Sequence, residues 1–303
     1  LVKRKINRTL SISAVLLLSL LLLVSLVALT IYQASQLKES LPYMIEKFQI
    51  LLNQAITWSA KFFHISAQEI NDWIAHAEKE FINSSGSRIG LTLSGLGTVL
   101  AAVFLIPVYI FMILYYQPHL VKFVYQLFGN SYNSQVTEML LEIKSILQSY
   151  LSGLLAQFAI LAVLNSIGLL ALSLDYAILL GITGALLNII PYLGGLMAMT
   201  LFATFALITK SPVYILYVIG LYGVIQFIDN NIIVPKVIGS KVKLNALASI
   251  IAVIAGAALW GLHGMFLAIP IIAIVKLILD RTASLKAWGL LLGDTMSPDK
   301  TKT

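Results

Sequence analysis

The chain has 303 residues, 59% of them hydrophobic and 11% charged, with a formal net charge of +7 and a mean hydropathy of +0.92. Soluble domains carry about 25% charged residues, so composition excludes a soluble fold, and the absence of cysteine excludes disulfides and thiolate metal sites. The surplus of Lys and Arg fits cytoplasmic loops touching anionic lipid; nothing resembles a basic soluble module that would bind nucleic acid.

The first apolar span covers about 10–31, behind Lys3, Arg4 and Lys5. Its length and the lack of a small-residue cleavage site mark it as a transmembrane helix rather than a signal peptide. Residues 32–88 are amphipathic. Leu37, Leu41, Met44, Ile45, Phe48, Leu51, Leu52 and Ala55 recur at helical spacing. Ser66 and Glu69 fit a capping box, and a second amphipathic helix is predicted through Ile70, Trp73, Ile74, Ala77 and Phe81. A loop follows at 83–88. A second span covers about 90–115, and an amphipathic helix is predicted over 118–149.

Six further apolar segments follow at about 150–173, 176–190, 193–209, 212–228, 245–260 and 264–280. Between Lys144 and Lys210 the only charged residue is Asp175. The expected fold is therefore all-α: a polytopic helical membrane protein of about eight membrane segments, with extramembrane amphipathic helices. The hairpins over 175–209 and 245–280 either cross fully or are re-entrant. The Lys/Arg distribution places both termini in the cytoplasm and 32–88 outside. Three regions are expected: a scaffold over 1–149, a transport core over 150–280 and a cytoplasmic tail over 281–303.

Two polar breaks interrupt the apolar segments. Gln226, Asp229 and Asn230 lie at i, i+3 and i+4 and share a face on a helix. Polar groups in lipid are costly and mark candidate functional sites. Asp229 can take a proton or a cation, and Gln226 and Asn230 can hydrogen-bond a solute. The plainer alternative is that Asp229 caps the next segment near the membrane boundary, with Pro235 close to the helix end. The other break runs from Asn188 through Pro191, Tyr192, Gly194 and Gly195. Proline removes a donor and glycine permits non-helical backbone. This break either opens backbone groups to a cavity or is an ordinary tight loop. Gln157 and Asn165, eight residues apart on one helix, either line the same path or make interhelical hydrogen bonds.

Enzyme chemistry finds no support. There is no H-E-x-x-H, no cysteine nucleophile and no phosphate-binding loop, so this chain is not expected to bind ATP, a metal or a cofactor. Its four histidines form no ligand cluster.

Four stretches carry a resemblance: Tyr150-Leu-Ser-Gly153, Ile189-Ile-Pro-Tyr-Leu-Gly-Gly195, Gln226 to Pro235 with Gly239, and Gly261-Leu-His-Gly264 running to Pro270. Together, in this order over roughly 90–280, they resemble the autoinducer-2 exporter family of bacterial membrane proteins. Two departures stand out. An apolar hairpin usual before the first span is missing, which suggests an N-terminally truncated chain. The glutamine usual beside the glycine of the third span stands at Gln157 instead. The resemblance implies a secondary transporter exporting a small polar solute or signalling molecule, coupled to protons and elevator-like. It implies a multi-pass protein of the bacterial inner membrane, in homo-oligomers that are pentamers. A Na⁺(Li⁺)/H⁺ antiporter is the alternative within transport, and a non-transporting membrane scaffold the alternative outside it.

Overall fold

The computed structural model describes residues 7–63, 92–129, 132–237 and 244–293, together with Ser66, Gln68, Asp72 and His76. The second amphipathic helix, the 83–88 loop, Gly239 and the 294–303 tail lie outside the described residues. All regular structure among the described residues is helical. The chain divides into two compact units, Leu1–Leu127 and Phe128–Thr303.

In the first unit, α1 runs Arg8–Phe63 without interruption, although Pro42 lies inside it. The apolar span and the amphipathic helix predicted as separate elements are thus one helix, about 84 Å long at 1.5 Å per residue. No glycine lies between Arg8 and Phe63 to end it. Its first half is apolar all round, with Leu17, Leu18, Leu21 and Leu22 all exposed, the pattern of a helix solvated by lipid. α2 covers Thr92–Phe128 and contains Pro107 and Pro118. The Arg8 guanidinium donates to the Leu114 carbonyl at 2.7 Å and to Gln117 Oε1 at 3.1 Å.

The second unit is built on α3, Asn133–Ala171. The helix predicted over 118–149 is instead the end of α2 and the start of α3. Gly129, at φ 79°, separates them, in the left-handed region that favours glycine. No break falls at 150, because Gly153 is buried inside the helix. Then follow α4 (Ala177–Leu187), α5 (Gly194–Thr209) and α6 (Val213–Ile228). A π-helical turn, Asp229–Ile233, leads into the short α7, Val234–Val237. α8 (Ala246–Trp260), α9 (Leu262–Arg281) and α10 (Lys286–Leu292) complete the unit.

Among the described residues five stretches are long and apolar enough to cross a membrane: Arg8–Leu29, Phe104–Phe128, Asn133–Ala171, Val213–Val237 and Leu262–Arg281. The shorter helices α4, α5 and α8 reach about 16–24 Å, less than the roughly 30 Å hydrocarbon core. The protein is therefore a polytopic helical membrane protein with interrupted apolar hairpins.

Lipid is as apolar as leucine, so helices in it are held by close packing rather than by escape from water. α3 and α4 approach backbone to side chain at Gly181, where a Cβ would overlap Ser166. α5 and α6 share a core of Ala198, Phe202, Ala206, Val218 and Tyr222, with the Phe202 and Tyr222 rings edge to face at 5.7 Å. α8 and α9 meet at Gly256 and Gly264, whose backbones touch. α9 packs on α3 through Ile146, Ala273 and Leu277, and Arg281 pairs with Glu138 and Glu142 of α3.

Candidate functional site

The polar break after α6 does not end the helix. The Val234 N–H bonds the Asp229 carbonyl five residues back, so one extra residue is accommodated in a wider turn. Pro235, in α7, has no N–H to continue the normal ladder. Such π-turns recur at functional sites. The turn starts at Asp229, whose side chain is 1% exposed.

Three amide bonds hold that carboxylate. Gln157, on α3, donates through Nε2 to both carboxylate oxygens at 3.0 Å. Asn188, at the C-terminal end of α4, donates through Nδ2 to Oδ2 at 3.0 Å. Among the described residues no cation pairs with Asp229; their ion pairs are Lys276–Asp280 and the two made by Arg281. Hydrogen bonds to a charged group contribute about 1.5–3 kcal/mol each. A buried carboxylate that no described cation faces still loses more hydration than two neutral amides return. The arrangement can therefore take up a proton or a cation at the carboxylate.

Asp229 lies on the wall of a cavity of about 460 Å³. Of the residues singled out from sequence, Gln157, Asn188, Pro191, Tyr192, Gly195, Gln226, Asp229 and Asn230 line it. Gln226 Nε2 donates to Asn230 Oδ1 at 3.3 Å, one helical turn on. Residues 188–192 of the break all line the cavity. Its Tyr192 is exposed and held at φ 66°, a conformation that costs a non-glycine residue about 1–3 kcal/mol.

Three of the singled-out residues do not line this cavity. Gly194 packs against α4 instead, where a Cβ would collide with the Leu187 carbonyl. Pro235 shapes the helix one residue beyond the wall. Asn165 is 2% exposed, deeper along α3, with an Oδ1 that has no hydrogen-bond partner. In the other direction, Tyr150 lines the cavity and donates its hydroxyl to the Phe266 carbonyl at 3.1 Å, tying α3 to α9. The sequence did carry a signal for it: Tyr150, Leu154 and Gln157 stand at i, i+4 and i+7 on one face of α3. Apolar Ile189, Ile190, Val234 and Ile269 fill the remaining wall. Among the described residues no group of three or more His, Cys, Asp or Glu side chains could hold a metal ion.

Residues 1–284 match the family profile described as "AI-2E family transporter". Among characterised and named relatives, the chain is 29% identical over 292 residues to "Putative transport protein YueF" of Bacillus subtilis, covering 91% of this chain and 77% of that one. It is 28% identical over 261 residues to "Putative transport protein YrrI" of the same organism, covering 84% and 71%. It is also 30% identical over 126 residues to "AI-2 transport protein TqsA" of Escherichia coli, covering 42% of this chain and 37% of that one.

Proposed function

This chain belongs to the AI-2E transporter family, and we propose that it is a secondary transporter that exports a small polar solute through the cavity beside Asp229, coupled to protons. The observation that carries this reading is a carboxylate 1% exposed, held by three hydrogen bonds from two neutral amides, on the wall of a cavity large enough for a small solute. A transporter must release what it binds, and a site whose only ionisable lining group besides tyrosine, among the described residues, is one carboxylate changes its charge with a single proton.

In this reading residues 150–280 form the transport core and 1–149 the scaffold. The protein sits in the bacterial inner membrane with both termini cytoplasmic, as a homo-oligomer, and the core moves against the scaffold like an elevator. The similarity to the E. coli protein makes autoinducer-2 the first solute to try. In proteoliposomes with an imposed proton gradient, the wild type is expected to move autoinducer-2 and Asp229→Asn to lose that gradient-driven movement while still folding. Equal flux in both would end the coupling role of Asp229.

A second reading, Na⁺(Li⁺)/H⁺ antiport, is favoured by the same burial, because ion exchangers need a carboxylate withdrawn from water. Pulsing dye-loaded proteoliposomes with Na⁺ or Li⁺ separates the two. A cation-dependent pH change that vanishes in Asp229→Asn supports antiport; no change supports an organic solute.

A further inference from the structure

Pro270 lies inside α9 and is buried. A proline brings no N–H, so the carbonyl four residues back, that of Phe266, loses its partner in the helical ladder. Unpaired backbone groups are costly at membrane depth. Tyr150 meets this one: its hydroxyl, on α3, lies 3.1 Å from the Phe266 carbonyl. A carbonyl can only accept, so the hydroxyl donates. The two rings lie 6.4 Å apart, and Tyr150 is buried. The first unit solves the same problem in the same way. Pro118 of α2 deprives the Leu114 carbonyl, and the Arg8 guanidinium of α1 supplies the missing donor.

The Tyr150 bond falls at a mechanical boundary. Beyond Pro270, α9 is held at several points. Ala273 and Leu277 pack on Ile146 of α3, Arg281 pairs with Glu138 and Glu142, and Gly289 of α10 lies against Asp280. The foot of α8 is fixed as well, since Asn245 bonds carbonyls at the end of α10 through its backbone N–H and its side-chain amide. Before Pro270 the two helices form a closed pair through the backbones of Gly256 and Gly264. Leu259, Trp260 and Leu262 at the turn are exposed. This free end of the hairpin meets α3 at Tyr150. Ile269, at the boundary, lines the cavity together with Tyr150.

We propose that Tyr150 is a positioning residue for transport: its hydroxyl, on the carbonyl that Pro270 leaves without a partner, clasps the free end of the α8–α9 hairpin to α3 and keeps the solute cavity closed on that side. Release of the clasp lets the hairpin bend at Pro270 and opens the cavity past Ile269. The clasp gates solute only in so far as this cavity is the solute's path, the reading on which it rests.

The chain has no cysteine, so a thiol introduced by Ile269→Cys is the one target for a maleimide. Labelling by a membrane-impermeant maleimide is timed on the purified whole chain in lipid nanodiscs. Tyr150→Phe, which keeps the ring, should speed labelling about tenfold, the change in open population that one lost hydrogen bond gives. In a Pro270→Ala background the Phe266 carbonyl regains a backbone N–H. There the same Tyr150→Phe change should alter labelling by less than about twofold. A hydroxyl that merely filled space would act equally in both backgrounds. A thiol from Ala273→Cys, beyond the boundary, should label slowly and at one rate with either residue at 150.

Labelling at 269 unchanged by Tyr150→Phe, an equal rise at 273, or the same tenfold rise with and without Pro270 overturns the proposal. If Tyr150→Phe alone does not elute like the wild type, recovery on adding Pro270→Ala supports the clasp, and no recovery counts against it. The transport reading fails separately: gradient-driven flux as strong in Asp229→Asn as in the wild type removes coupled transport and leaves the labelling pattern, and with it the clasp, standing.

Discussion

Two apolar hairpins in the second unit use the same residues for different ends. α4 and α5 turn through Asn188 to Leu193; α8 and α9 turn at Gly261. Both have short helices and both bring glycines into close contact. At the α8–α9 turn, Gly261 takes φ 62° and ψ −139°, which a side chain would oppose, and Gly256 and Gly264 touch through their backbones. Its polar side chain, His263, is exposed. At the α4–α5 turn the strained position is a tyrosine, and the polar side chain Asn188 reaches inward to a buried carboxylate. A broken hairpin is therefore not a site in itself. In the reading proposed here it becomes one where its polar groups are directed to a buried charge.

That contrast can be broken most forcefully at the structural hairpin. Gly264→Val is expected to lose more than about 3 kcal/mol, because its side chain would meet Gly256 backbone that cannot move aside. The folded, monodisperse fraction after purification measures it, and a normal yield would show that the two helices need not touch. Next is Asp229→Asn, for which gradient-driven flux should fall by about a hundredfold, in the range of a lost proton-transfer group. Its melting temperature should stay close to the wild type, since the volume is unchanged and the Gln157 amide can rotate to face the new NH₂.

Asn188→Ala sharpens the comparison. It removes one of the three hydrogen bonds to Asp229 and an amide from the cavity wall, so half-saturation for flux should rise by about tenfold, measured as initial rate against solute concentration. The smallest effect is expected at Arg281→Ala. Its two ion pairs to Glu138 and Glu142 are exposed, and such pairs contribute about 0–1 kcal/mol. Flux should be unchanged and the melting temperature lowered by no more than a few degrees.

Much of this was legible in the residues. Asp229 stands out because a charge in an apolar segment demands a partner, and Asn188 because it precedes a proline–glycine break. Gln157 was readable only as one of two amides on a face; that it, and not Asn165, reaches the carboxylate depends on how α3 sits against the π-turn. The π-turn itself leaves no mark in hydrophobic spacing, since five residues without strong periodicity read equally as a helix end. α1 was read as two helices because its composition changes near residue 32 while its backbone does not. Tyr150 carries no polar signal of its own, because a tyrosine after an amphipathic stretch is ordinary; only its spacing to Gln157 places it on the same face.

The most direct measurement compares net gradient-driven flux with solute exchange at equilibrium, in wild type and Asp229→Asn proteoliposomes. If Asp229 is the coupling carboxylate of a solute cavity, the variant keeps exchange of labelled for unlabelled autoinducer-2 and loses accumulation driven by the proton gradient. Accumulation as strong in the variant as in the wild type would contradict the account.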